Sequence, residues 1–438
     1  MTNRLMKRLD ESTCNFCAVL TMRKELEAAG FKEKNPADAW DVKPGEKFYV
    51  VKNDSAIFAF IAGEGSPAEE GFRIIAAHSD SPAFKLKPSP EIYGDGGVVS
   101  LNVEKYGGGI MYTWFDRPLS ISGRVMTKGA DPMHPVKHII DLKRPVATIP
   151  HLAIHFNRAV NEGNPLSVQK DMKPVAGIFS KEEYEECKEK GGVINVMIAR
   201  HLGVEPTDII SSELFLYPVV NATLTGIHEE FLQSPRLDDL SMCYCALEGL
   251  LKEADRKVGA TRVMAIFDNE ETGSATKQGA GSPILANILR RLTALLSPEE
   301  DAEESFQRAV AQSFMISADD AHAWHPNYNE KYDPTNHPVV GGGPVVKINA
   351  NCKYMTDATG AAVFAGLCEA AGVPCQYFVN HGDVAGGSTL GNIFTSQMDV
   401  NGVDMGCAIW GMHSACETAS ASDHEDTAKV FAYFYGMK

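Results

Sequence analysis

The segment "IFDNEETGSA", Ile266 to Ala275, ends an apolar run with two adjacent carboxylates, Glu270 and Glu271. Side-by-side negative charges repel, and a protein interior accepts them only with compensation. Four other segments finish in the same manner. "FRIIAAHSD" delivers His78 and Asp80, and "FLQSPRLDDL" delivers Asp238 and Asp239. "SFMISADDAH" supplies Asp319, Asp320 and His322, and "GCAIWGMHS" supplies His413. Taken singly, each has an ordinary reading: an Asp-Asp pair caps a helix, a Glu-Glu pair starts one in solvent, a lone His is structural. Five such groups at matching positions point instead to one shared site. Histidine and carboxylate without cysteine suit Zn, Co or Mn. Two such ions about 3.5–4 Å apart share a bridging ligand, and a carboxylate can bridge. The adjacent glutamates then divide the work. One holds a cation, and its neighbour faces the activated water as general base, whose acid form can protonate a leaving amine.

Such a site needs strand ends to carry it. "KFYVV", "SAIFAFIAG" and "FRIIAAHSD" read as strands parted by turn residues. After Asp238, the residues Leu240, Cys243, Tyr244, Leu247, Leu250, Leu251 and Ala254 recur at i+3/i+4, one helical face. "TRVMAIFD", "SFMISAD", "CQYFVN" and "CAIWGMHS" then alternate with helical stretches. This alternation predicts an α/β domain with a largely parallel sheet, in which ligands bind beyond the carboxyl ends of the strands. From about Ser89 to Glu229 the texture changes to Gly-rich turns ("YGDGG", "YGGGI"), short alternating strands and the polar "SKEEYEECKEKGG". The chain therefore reads as a discontinuous α/β domain, residues 1–88 and 230–438, split by a β-rich insertion, 89–229. "DESTCNFCAVLTMRKELEAAG" predicts one N-terminal helix stopping at Gly30, and "SPEEDAEES" a solvated loop or helix start.

Composition bounds the function. With 438 residues, 44% hydrophobic and 22% charged, the chain has room for two or three globular domains. A net charge of -16 argues against nucleic acid or an anionic membrane as partner and agrees with carboxylates that hold cations. No apolar run is long enough to span a bilayer, and the N-terminus lacks a signal-peptide core. The ten scattered cysteines imply reduced thiols and a cytoplasmic location. The lone CxxC pair, Cys14 and Cys17, falls inside the expected helix and reads as buried, inert thiols.

Together these stretches resemble the aspartyl aminopeptidase / vacuolar aminopeptidase I family of dinuclear metallopeptidases. The similarity runs through "AAHSDSPAFKLKP", "IPHLAIHFNR", "SPRLDDL", "DNEETGS", "SADDAHAWHPNY", "GPVVKINANCKY", "GGSTLG" and "GMHSACE", in the family's order and over nearly the whole chain. The resemblance implies a zinc-exopeptidase-like mixed sheet flanked by helices, with the insertion as a dimerisation domain. It implies His78, Asp238 and Asp319 at one metal, and Asp238, Glu271 and His413 at the other, with Asp238 bridging. Glu270 would be the general base, and Asp80 would orient His78 through its second ring nitrogen. Family members assemble into tetrahedral dodecamers with inward-facing active sites, which implies that His155 reaches a neighbouring subunit's site. The substrates implied are short peptides with a free N-terminus.

Two departures bear on substrate choice. Acid-selective family members carry basic side chains around the segment where this chain has Gly341 to Gly343 and Asn351, leaving Lys353, with His337 or His381, as candidate cations. "NHGDVAGGSTLG" also differs from the family's usual Pro-Cys-Gly version. The expected preference is thus broad or neutral, with an acidic one as the alternative. The same ligand set would serve another dinuclear amidohydrolase, such as a carboxypeptidase or deacylase; "HAWHPNY" and "KLKP" favour the aminopeptidase. A non-catalytic shell protein need not keep Glu270 beside all five ligands.

Overall fold

The computed structural model describes residues 1–438 and divides into two compact units. The first comprises Met1–Asp80, Ala222–Met412 and Glu417–Lys438; the second comprises Ser81–Asn221 and His413–Cys416. The boundaries fall at 80/81 and 221/222, eight residues before those expected from sequence (88 − 80 and 229 − 221). Pairing explains the shift. The strand Ala83–Tyr93, which contains "KLKP", pairs with strands Val98–Tyr106 and Ile209–Pro218 of the second unit. The hairpin Thr223–Thr225 and Phe231–Ser234 instead joins Glu417–Ser420 in the first.

The first unit is built on a nine-stranded mixed sheet. Its centre is a parallel run, in the order Thr261–Phe267, Phe72–His78, Phe314–Ala318 and Asn401–Gly406. Lys47–Lys52 and Ala56–Ile61 extend one side, antiparallel to each other. Val345–Ile348 and Gln376–Val379 extend the other. Alternation divides the central strands between two cores. Ile57, Ala59, Ile75, Ala77, Met264 and Ile266 enter one; Phe58, Phe60, Ile74, Ala76, Val263 and Phe267 enter the other. Both faces are therefore covered, which is why these strands read as continuous apolar runs.

The helix Leu237–Lys252 was expected to show one apolar face, yet almost every residue from Leu237 to Leu250 is buried. It packs against both the strand Phe72–His78 and the helix Ala421–Gly436, so no face is left for solvent. The expected single N-terminal helix is two, Thr2–Glu11 and Asn15–Ala28. The break at Ser12 has a cause: its carbonyl accepts Arg236 Nε–H at 2.9 Å, and its hydroxyl meets the Tyr244 hydroxyl. Cys14 and Cys17 are buried thiols, and the Cys14 S–H donates to Cys17 Sγ at 3.6 Å. "SPEEDAEES" opens the helix Ala302–Ala311, whose N-cap Asp301 accepts the backbone N–H groups of Glu303 and Glu304. No helix is long and apolar enough to cross a membrane.

The second unit carries a six-stranded sheet with its own core, including Leu101, Trp114, Ile121, Ile140, Ile198 and Leu214.

Candidate metal centre

In the first unit, the carboxyl ends of the central strands deliver the expected groups. His78 is the last residue of its strand, Asp319 follows Phe314–Ala318 directly, and Glu270 and Glu271 lie in a short turn after Thr261–Phe267. Asn269 adopts a left-handed φ of 62° just before that turn. Its side-chain oxygen accepts Thr276 Oγ1–H and Gln278 Nε2–H at 2.8 and 2.7 Å, which holds the unusual conformation in place.

His78, Asp238, Asp239 and Asp319 bring one donor atom each within 4.8 Å of one another, and all four are buried. His78 Nε2 is 3.4 Å from Asp238 Oδ1 and 4.0 Å from Asp239 Oδ2. Its Nδ1 lies 3.0 Å from the Asp80 carbonyl and 3.4 Å from the Asp80 carboxylate. An imidazole that donates through Nδ1 turns the Nε2 lone pair into the cluster, the usual arrangement of a histidine ligand. Asp80 does more than the sequence indicated. Its carboxylate also accepts the backbone N–H groups of Glu270 and Glu271, at 3.1 and 3.2 Å. The Glu271 carboxylate has an oxygen within 4.8 Å of an Asp238 oxygen.

The roles of two neighbours escaped sequence reasoning. Asp239 stands beside Asp238 in the strand-end set, with no contact of its own assigned. Its backbone, like that of Asp238, is non-helical, and its carboxylate accepts the His78 N–H at 3.1 Å. Lys347 is the buried cation of this region, 3% exposed, with Nζ 3.3 Å from Asp319 Oδ1 and 3.2 Å from the Asp320 carbonyl. Lys353, the residue singled out in the same segment, is exposed. Asp320 turns away from the cluster toward the Ser241 hydroxyl at 2.8 Å, and the exposed His322 packs edge-on to Phe378.

The other two candidates belong to the second unit. His413 follows Met412 by one peptide bond, adopts a positive φ of 68°, and has Nδ1 3.3 Å from the Gly108 carbonyl. A side chain at Gly108 would meet that ring at 3.4 Å, so the "YGGGI" turn leaves it room. His155 is exposed.

The electrostatics call for cations. Burial pushes Glu270 up to about 8, with Asp319, Asp80 and Asp238 adding to the effect and His78 opposing it. Burial and the neighbouring carboxylates also hold Glu271 and Asp239 well above the usual range. Burial alone would lower His78; Asp239, Asp238 and Asp80 outweigh it and hold the ring protonated well above its ordinary value. Asp239 Oδ1 is buried without a hydrogen-bond partner. An oxygen and imidazole donor set with too many negative charges and an orphaned carboxylate oxygen fits divalent zinc.

Comparison with known proteins decides the family. The model of the aminopeptidase I zinc metalloprotease family (M18) matches residues 8–435. The chain belongs to the M18 family. It is 43% identical over 435 residues to a probable M18 family aminopeptidase 2 of Clostridium novyi, covering 99% of this chain and 98% of that one. The corresponding Pseudomonas aeruginosa protein is 38% identical over 432 residues, covering 98% and 97%. Among solved structures, Ape4 in a complex with Nbr1 superposes with a TM-score of 0.94 at 33% identity, over 99% of this chain and 85% of that chain. Yeast aminopeptidase 1, also solved as an mApe1 dodecamer, gives 0.86 at 26% identity, over 99% and 96%. This M18 chain is therefore a zinc metalloaminopeptidase, a hydrolase of the exopeptidase class, with the mixed α/β fold expected from its sequence.

Proposed function

We propose that this M18 enzyme removes N-terminal residues from short peptides with two zinc ions and a glutamate base. His78 and Asp319 would hold one ion, Glu271 and His413 the other, and Asp238 would bridge them. Zinc supplies Lewis acidity, lowering the pKa of water and polarising the scissile carbonyl. Glu270 takes the proton from the attacking water and passes it to the leaving amine. Asp80 would position the base and a ligand together, its carboxylate accepting the Glu270 backbone N–H at 3.1 Å and facing His78 Nδ1 at 3.4 Å. Asp239 fixes the His78 backbone, and Lys347 offsets the Asp319 charge. The observation that carries the reading is the convergence of His78, Asp238, Asp239 and Asp319 at the strand ends beside a turn holding two glutamates.

Side-chain preference is proposed to be broad or neutral. A buried substrate carboxylate needs its own cation. Lys347 is already engaged by Asp319, and Lys353 is exposed. By analogy with the mApe1 dodecamer, the chain would act as a homo-oligomer, the second unit forming the dimer contact and His155 reaching a neighbour's site; its reduced cysteines suit a cytoplasmic location. One experiment addresses these points: a panel of N-terminal Asp, Glu, Leu, Met, Ala and Lys substrates, assayed on size-separated fractions before and after chelation and zinc return. The expected result is zinc-dependent activity in the assembled fraction with no strong acidic bias. Activity surviving full chelation would overturn the metal reading, full activity in a monomer the shared site, and a 100-fold acidic preference, about 2.7 kcal/mol of transition-state binding, the neutral pocket.

A further inference from the structure

Asp320 leaves the peptidase cluster for a second set of donors. We propose that Asp320, Cys407 and His424 hold a structural zinc ion of their own, distinct from the peptidase pair. The three bring one donor atom each within 4.8 Å of one another and are 2%, 0% and 1% exposed. They come from three separate pieces of the first unit. Asp320 lies beyond the strand Phe314–Ala318, Cys407 lies between Asn401–Gly406 and Ala408–Trp410, and His424 sits in the first turn of the helix Ala421–Gly436.

His424 supplies the independent observation. Its Nδ1 is 3.1 Å from the Ser420 carbonyl and so donates there. That leaves a lone pair on Nε2, which is buried without a hydrogen-bond partner. An orphaned buried nitrogen costs its desolvation, and a metal ion removes the penalty. Burial lowers the ring to about 4, which keeps the imidazole in its neutral, ligating form. Asp320 retains lone pairs beyond the two it uses for Ser241 Oγ–H at 2.8 Å and Cys407 N–H at 3.3 Å.

The charges also balance. On binding, the Cys407 thiol gives up its proton to solvent, and the thiolate and carboxylate together neutralise a divalent ion beside a neutral imidazole. A closed, neutral centre is what a water-free interior tolerates. The Thr427 hydroxyl, 3.3 Å from Cys407 Sγ, is placed to donate to the thiolate and hold it in position. The ion would tie the C-terminal helix to the sheet and take no part in turnover.

Sulfur separates this centre from the peptidase site, whose ligands are all nitrogen and oxygen. The test is the absorption spectrum of the protein produced with cobalt, together with the metal count of the zinc protein. The expected outcome is a thiolate-to-cobalt charge-transfer band and about three zinc ions per chain rather than two. Cys407→Ser should abolish the band and lower the count by about one ion while leaving peptidase activity within about twofold. Absence of the band from the wild-type protein would overturn the proposal, whatever the fate of the variants. So would a band that survives Cys407→Ser or disappears instead in Cys14→Ser. If Cys407→Ser fails to fold, His424→Gln must still shift the cobalt spectrum, and an unchanged spectrum counts against the site.

Discussion

The Asp80 carboxylate accepts the Glu270 backbone N–H at 3.1 Å, joining the end of one central strand to the turn beyond its neighbour. The same side chain faces His78 Nδ1, so a single residue sets both a proposed ligand and the proposed base. Asp80→Asn should therefore lose about 10–100-fold in metal affinity or activity. A titration of activity against free zinc separates the two effects. An unchanged curve would show that Asp80 positions neither group.

Glu270 and Glu271 share a turn and are proposed to differ in role. Glu270→Gln should retain zinc and lose about 10²–10⁴-fold in kcat, the contribution of a general base. Glu271→Gln should lose zinc as well. Elemental analysis beside kinetics distinguishes them, and near-normal turnover in Glu270→Gln would remove it from the mechanism.

The pH dependence of the zinc-free protein follows from its raised carboxylates. Glu270 moves from an ordinary value of 4.5 to about 8, so the folded chain holds a proton that the unfolded chain releases. The raised His78 works in the same direction. Stability of the zinc-free chain should fall as pH rises from about 4.5 through 8. Zinc replaces those protons, so the loaded protein should not show the decline. Thermal melts across that window, with and without chelator, check the sign; a zinc-free protein that gains stability over the same range would contradict it.

Lys347 and Lys353 should differ sharply. Lys347→Met leaves Asp319 buried without its cation and should destabilise the zinc-free chain by about 3–5 kcal/mol. Zinc should recover part of that loss, because it supplies another positive charge. Lys353→Ala, at an exposed position, should stay within about 0.5 kcal/mol. Denaturant unfolding of both variants, with and without zinc, is the measurement. Equal effects would remove Lys347 from the electrostatics of the site.

The strand ends were readable because local pattern reports them: apolar runs closed by His or carboxylate mark where His78, Glu270 and Asp319 stand. Long-range packing was not readable. Lys347 lies in an apolar strand, and nothing local says that its ammonium meets Asp319. Asp239 looked like a cap because it precedes a helix, yet its contact is with the His78 backbone. The i+3/i+4 pattern marks Leu237–Lys252 as a helix, but its burial depends on the helix Ala421–Gly436, nearly two hundred residues away. Ser12 breaks the expected N-terminal helix through a partner, Arg236, 224 residues away.

The zinc pair proposed to be bridged by Asp238 is tested most directly by anomalous diffraction at the zinc edge from crystals grown with zinc. Two peaks about 3.5–4 Å apart are expected to flank the Asp238 carboxylate, with Glu270 beside them and bound to neither. A single peak there, or two peaks with Glu270 as a ligand and Glu271 free, would contradict it.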